Sequence, residues 1–307
     1  GTFDFTDELV FFSEGGKYWS VFKPILDSLE NKQIKFIFLS ADINDPGLNF
    51  KSKQSSFLFL GNMNQSIRIL NKLKAKMCVT TTPQLDIVSW KYSKNVKHYC
   101  HVLHSPMDIH AYKKFAFDYY DSILCSSKYQ IENLRQLEKD RNSKRKILKK
   151  TGCTYYDLAK DLENNNETEN SILIAPTWGD RTFFKLKGEY LLEKLLNLGY
   201  KVIYRPHPQS WISDLKVLNS VMSKFEKNNN FTIDKNIDNS VSLSKSKIMI
   251  TDISSGILYD LILLNKIPVI AVNHHWDDGG YEFSSLTSEL STEFLLKDFG
   301  RLISENE

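Results

Sequence analysis

The sequence predicts an α/β protein built from two doubly wound halves. Short apolar runs alternate with segments of helical periodicity along the whole chain. That rhythm breaks once, at the polar stretch 163–170 (Glu-Asn-Asn-Asn-Glu-Thr-Glu-Asn), and then restarts. Polar strings also stand at the carboxyl ends of the apolar runs, where open α/β sheets bind their ligands. Repeated βα units imply parallel sheets with right-handed crossovers. At 307 residues the chain is long for one core. The expectation is therefore two domains facing a cleft, 1–165 and 166–307, with the last helix free to return to the first.

The elements of the first half follow in order. Leu9-Val10-Phe11-Phe12 is an apolar run that stops at the loop Ser13-Glu14-Gly15-Gly16. Tyr18 to Leu29 places Trp19, Phe22, Ile25, Leu26 and Leu29 on one helical face. Ile34 to Leu39 reads as the next strand, and Asp45-Pro46-Gly47 as a turn. Phe57 to Leu60 is a strand, with a helix through Ile67, Leu70 and Leu73. Ala75 to Thr80 ends at Thr81-Thr82-Pro83, Lys97 to Leu103 ends at His104-Ser105-Pro106, and Asp121 to Ser127 closes the series. A helix over Tyr129 to Leu137 then passes into a charged stretch, Glu138 to Lys150. The second half offers strands at 171–174, 201–204, 231–233, 247–250 and 268–272, and helices at 188–198 and 256–264.

Composition narrows the class. Hydrophobic residues are 41% and charged residues 25%, ordinary for a globular protein. A net charge of +3 gives no argument for nucleic acid and a weak one for an anionic membrane surface. Cys78, Cys100, Cys125 and Cys153 form no CxxC pair and no zinc spacing, which suits reduced thiols in the cytoplasm. No apolar run reaches the roughly 18–20 residues of a spanning helix, and no signal peptide opens the sequence.

Several strings have the residue types that bind phosphate. Arg205-Pro206-His207-Pro208 follows Lys201 to Tyr204. Its prolines hold the backbone extended and display His207 on a stiff loop. Arg205 can bind bidentately and an imidazolium donates to phosphate oxygens. The same string is also a good plain turn, with Arg205 paired to a carboxylate. Thr251-Asp252-Ile253-Ser254-Ser255-Gly256 precedes a helix, so it is either an N-cap or an anion site. One cap residue suffices, and four side chains here offer oxygens. In Ala175-Pro176-Thr177-Trp178-Gly179-Asp180-Arg181, Thr177, the loop amides and Arg181 suit phosphate, and Trp178 suits the flank of a ligand. A strand-end turn with a packed Trp is the alternative.

In the first half, His104 is a candidate general base, since its pKa lies near working pH, with Asp108 as a group to orient it. His98 and His101 read as structural. A metal site from His98, His101, His104 and His110 is disfavoured, because alternation sends His101 to the opposite strand face. Glu14 stands in a loop whose small residues admit a close ligand. That loop has no GxGxxG, so a dinucleotide fingerprint is absent. His274 to Gly280 is a rim loop of open role.

Taken in order, Ala175-Pro176-Thr177-Trp178, Arg205-Pro206-His207-Pro208, Thr251-Asp252-Ile253-Ser254-Ser255 and Leu258 to Leu264 leading to Lys266-Ile267-Pro268 resemble the CDP-glycerol glycerophosphotransferase family, the teichoic-acid and capsule polymerases. The resemblance covers about the second half. It implies a GT-B fold of two Rossmann-like domains, and an enzyme that moves a polyol phosphate from a CDP-linked donor to a hydroxyl of a cell-surface polymer or lipid-linked glycan. By it, His104 takes the base's place. His207, Arg205, Thr177, Asp252, Ser254, Ser255 and Gly256 fall in the donor and phosphate site. Glu14, Asp108, Trp178 and Arg181 are accessory. The chain departs from the family in having Ser105 after His104 where Gly is usual, and Ile253 where Tyr is usual. Those departures leave the acceptor open. No motif requires a metal, and Mg²⁺ stays open. The expected location is the cytoplasm, at the inner face of the membrane. The alternative reading is a GT-B glycosyltransferase that uses a CMP- or UDP-linked sugar.

Overall fold

A computed structural model describes residues 3–159, 170–180, 182–236, 240–253, 255–264, 268–273 and 280–304. The chain forms two compact units. The first is Gly1–Ala159 with Gly279–Ser288, and the second is Lys160–Asp278 with Glu289–Glu307. The first division thus falls a few residues ahead of the expected one. The polar stretch expected as linker lies outside the described residues except for Asn170.

The first unit is a seven-stranded parallel sheet. Its strands are β1 (Asp4–Ser13), β2 (Ile37–Ser40), β3 (Ser56–Phe59), β4 (Lys74–Thr80), β5 (Tyr99–Val102), β6 (Ser122–Cys125) and β7 (Ile147–Lys150), in the order β3-β2-β1-β4-β5-β6-β7. The helices are α1 (Trp19–Asn31), α2 (Met63–Leu70), α3 (Lys128–Asp140) and α4 (Tyr156–Ala159). Alternate residues of one strand enter opposite layers. Val10 and Phe12 join Ile37, Leu39 and Ile123 on one face, while Phe11 joins Phe36, Phe38 and Val102 on the other. Burial on both faces is why these strands read as continuous apolar runs. Strand β7 was not legible in the charged stretch. Its residues are largely exposed, with Lys149 and Lys150 at the sheet edge, a composition that discourages edge pairing.

The second unit repeats the plan with six parallel strands. They are β8 (Ser171–Ile174), β9 (Lys201–Tyr204), β10 (Phe231–Ile233), β11 (Ser246–Asp252), β12 (Val269–Asn273) and β13 (Gly300–Ser304), in the order β10-β9-β8-β11-β12-β13. Its helices are α5 (Glu189–Asn197), α6 (Ser210–Ser213), α7 (Leu215–Phe225), α8 (Ser240–Lys245), α9 (Ile257–Leu264) and α10 (Ser291–Phe299). The last helix, α10, lies within this unit beside β12 and β13. A different segment, 279–288, belongs to the first unit. There Glu282 is fully buried and takes the Arg141 guanidinium and the Phe115 amide N–H.

In each unit the strand order reverses once, between β1 and β4 and between β8 and β11. Loops leaving the carboxyl ends at such a switch point diverge and leave room for a ligand.

Candidate functional site

Three strings of the second unit leave three adjacent strands. The 175–180 loop follows β8, Arg205-Pro206-His207-Pro208 follows β9, and 253–256 follows β11. Asp252, fully buried at the end of β11, ties them together. Its carboxylate accepts the Thr177 amide N–H at 2.8 Å and the Phe183 amide N–H at 3.0 Å. The Thr251 hydroxyl donates to the Ala175 carbonyl at 2.7 Å. Two consecutive residues of β11 thus fix the loop across the switch point.

Asp252 was expected to hold phosphate; here its carboxylate accepts two loop amides of its own unit. Arg205, expected in the same role, is also engaged within the unit. It is buried, and its Nη1 donates to the Asp234 carboxylate at 2.5 Å. Burial alone would raise the Asp234 pKa. The Ser242 hydroxyl, the Asn236 amide and Arg205 outweigh it and hold the group below the usual carboxylate range. The pair pins the loop after β9 to the end of β10. Asp214 accepts the Gly179 amide N–H at 3.3 Å, a further tie on the 175–180 loop.

His207 stands in the same loop after β9. The Gln209 amide N–H donates to His207 Nδ1 at 3.1 Å. A neutral ring held this way carries its proton on Nε2, which makes Nε2–H a fixed donor. The indole of Trp178, 41% exposed, lies 6.4 Å from the His207 ring. The Thr177 hydroxyl makes no hydrogen bond among the described residues. Ser255 is buried, and its amide N–H donates to the Asp252 carbonyl at 3.0 Å, closing the turn that carries Gly256 into α9. The amides and dipole of a helix start favour an anion there. Ser254, Arg181 and the 274–279 loop lie outside the described residues.

In the first unit His104 follows β5. Its ring sits 5.2 Å from that of Tyr18 and 6.1 Å from that of Tyr112. Burial, and next the Lys17 ammonium, push its pKa down to about 4, so the imidazole is neutral at physiological pH. Nδ1 is buried without a hydrogen-bond partner among the described residues. Asp108 is therefore not its orienting group. That buried carboxylate instead acts on His110, where its charge opposes the lowering caused by burial. His110 Nε2 meets the Ser288 carbonyl at 3.0 Å.

The His104 loop is braced by α3. Fully buried Gln130 donates to the carbonyls of Ser105 at 3.1 Å and Met107 at 2.8 Å, and accepts the Ser126 amide N–H at 2.8 Å. Glu14 pairs with Lys17 at 3.4 Å, and the Lys17 ammonium lies 4.8 Å over the Tyr18 ring. Lys17, Tyr18 and Tyr112 were not singled out in the sequence. Lys17 stands three residues after Glu14 beside the small-residue loop, which was the available signal. Gly15 takes φ +149°, and a Cβ there would lie 3.0 Å from the Asp42 carboxylate, so glycine is required.

His101, fully buried between Phe117 and Tyr120, has a pKa pushed down to about 3 by burial. His98 meets the Ser122 hydroxyl at 2.7 Å. Both are part of the sheet's packing. Among the described residues, no group of three or more His, Cys, Asp or Glu side chains is arranged to hold a metal. The described residues also hold no helix long and apolar enough to cross a membrane.

The sequence profile of the CDP-glycerol:poly(glycerophosphate) glycerophosphotransferase family matches residues 94–289. That span runs from the approach to β5 through the 279–288 segment. A search of curated proteins gives no match. Among solved structures, the wall teichoic acid polymerase TagF superposes with a TM-score of 0.53 at 17% identity, covering 86% of this chain and 69% of that one. The UDP-GlcNAc 2-epimerase of Methanocaldococcus jannaschii gives 0.60 at 13% identity, covering 97% and 89%. The S. aureus MnaA–UDP co-structure gives 0.61 at 15% identity, covering 86% and 78%. At such identities the likeness is one of fold, the GT-B class.

Proposed function

Because the chain belongs to the CDP-glycerol:poly(glycerophosphate) glycerophosphotransferase family, we propose that His104 and His207 carry its transfer of glycerol phosphate from CDP-glycerol to a hydroxyl of a cell-surface polymer. The observation that supports these roles is the matched span itself. It contains His104 and all three strings that gather at the β8–β11 switch point.

In the proposed reaction the acceptor hydroxyl oxygen attacks the phosphorus that bears glycerol. The new oxygen–phosphorus bond forms as the bond to the bridging oxygen breaks, and CMP departs with that electron pair. His104, neutral in its aromatic enclosure, takes the hydroxyl proton on Nε2. His207 Nε2–H donates to the pyrophosphate and stabilises the charge that grows on CMP. Thr177, Ser254, Ser255 and the Gly256 amide at the start of α9 hold phosphate oxygens, and Trp178 flanks the donor. Asp252 and Arg205 act through the loops that they fix. Such preorganised donors are the main source of rate in phosphoryl transfer. The polymer acceptor argues for work as a peripheral protein at the inner face of the membrane.

The direct test is CMP release from CDP-glycerol with an acceptor polymer, beside thermal shifts with CDP-glycerol, CDP-ribitol, CMP and UDP-sugars. Stabilisation by CDP-glycerol is expected. A shift with UDP and none with CDP or CMP would overturn the assignment and favour a nucleotide-sugar glycosyltransferase.

A further inference from the structure

We propose that an open groove along α1 binds an uncharged saccharide unit of the acceptor, a reading that rests on the first unit being the acceptor side. The groove has a volume of ≈ 570 Å³ and is walled by α1 and by the segment after β2. Trp19, Lys23, Asp27 and Asn31 recur every four residues on one face of α1, opposite Asn49, Phe50 and Lys51. That stripe runs about 18 Å.

Its platform is rigid. Trp19 packs edge-on against Phe38 at 6.3 Å and Phe50 at 5.9 Å, and Phe50 packs in turn on Phe36 and Phe57. Trp19 and Phe50 remain partly exposed. Around them stand groups suited to hydroxyls. The Asp27 carboxylate is held by Lys23 at 2.6 Å, and Glu30 by the Ser52 hydroxyl at 2.5 Å. A carboxylate accepts about four hydrogen bonds, so each keeps capacity. The side chains of Trp19, Asn31, Asn49 and Lys51 make no hydrogen bond or ion pair among the described residues.

Charge selects the ligand class. Lys23 and Lys51 are balanced by Asp27 and Glu30, so the groove has no net attraction for a polyanion. An aromatic face with planar amides and carboxylates matches a sugar ring instead, whose C–H face is apolar and whose rim is hydroxyl. Trp19 directly follows Tyr18, whose ring lies 5.2 Å from that of His104.

Saturation-transfer NMR on the full chain tests this, with methyl glucoside, methyl galactoside, methyl N-acetylglucosaminide, maltose and lactose as probes and glycerol 3-phosphate as the anionic competitor. At least one neutral probe should receive saturation. Trp19→Ala should abolish the signal, and the exposed pair Asn31→Ala/Asn49→Ala, which leaves the aromatic packing intact, should weaken binding about tenfold, the loss of roughly one hydrogen bond's worth. CDP-glycerol thermal shifts should be unchanged in both. The proposal fails if no neutral probe binds, if binding survives both variants, or if glycerol 3-phosphate displaces the sugar. Failure of the donor assignment is read separately, as absence of any CDP-glycerol shift in the unsubstituted protein.

Discussion

The two units share one strand plan but differ in how fully the polar residues of their loops are partnered. In the second unit these residues bind one another. Asp252 holds two loop amides, Thr251 holds Ala175, and Arg205 holds Asp234. In the first unit buried polar atoms stand without partners among the described residues: the Thr81 and Thr82 hydroxyls after β4, Nδ1 of His104 after β5, and the Tyr112 hydroxyl. On the proposed division of labour, a rigid cradle in the second unit would lower the cost of reorganisation around a donor pyrophosphate.

Four substitutions or conditions would break or sharpen this contrast. The largest effect is expected at His104. His104→Ala should lower kcat by about 10²–10⁴, the usual worth of a general base, with the CDP-glycerol thermal shift retained. Equal loss of donor binding would erase the division of labour between the units.

Next is Arg205→Met. Removing one partner of a buried pair leaves Asp234 without its cation, held only by Asn236 and Ser242, which costs about 3 kcal/mol in a urea titration. An unchanged midpoint with lost activity would mean that Arg205 grips phosphate after all. Asp252→Ala should follow, at about 1–3 kcal/mol for each amide left unpaired. It should also raise the KM for donor and leave that for acceptor alone. A change confined to the acceptor would contradict the loop-fixing role.

The smallest effect at neutral pH is the position of the acid limb. With His104 as the proposed base, which acts when neutral, the transfer rate should fall as pH drops through about 4, well below the ordinary imidazole value near 6.5. A limb in kcat/KM at 6.5 would show that the Tyr18–Tyr112 enclosure does not govern this ring. Stability moves in the same sense. Both His101 and His104 have folded-state pKa values below the unfolded one, so their neutral forms favour folding fully above about 6.5. That contribution is lost as pH falls toward 4 and then 3. The circular-dichroism melting temperature should therefore decline across that window.

Legibility in the sequence followed burial. Phe11, Phe38 and Val102 lie in strands covered on both faces, so their runs are continuous and easily read. The edge strands β7 and β13 escaped, because Lys149, Lys150 and Arg301 make a half-exposed strand resemble a charged loop. The candidate strings stand out by residue type and order, and His104 by its place after a strand. Their roles were less visible. Arg205 and Asp252 have the chemistry of a phosphate site, but a guanidinium and a carboxylate also pair readily inside a protein. Their partners, Asp234 and the amides of Thr177 and Phe183, are 29, 75 and 69 residues away. No local pattern can encode that.

By itself, then, the sequence determined the two-unit α/β plan, the family and the strand-end positions of the candidate residues. All of these follow from short-range periodicity and ordered strings. Tertiary structure decided which neighbours those residues meet. It set a backbone amide on Nδ1 of His207, enclosed His104 in the rings of Tyr18 and Tyr112, and paired Asp252 with loop amides and Arg205 with Asp234. The reason is physical: a polar side chain's task depends on which partner reaches it first in the folded chain, and those partners come from strands far apart in sequence.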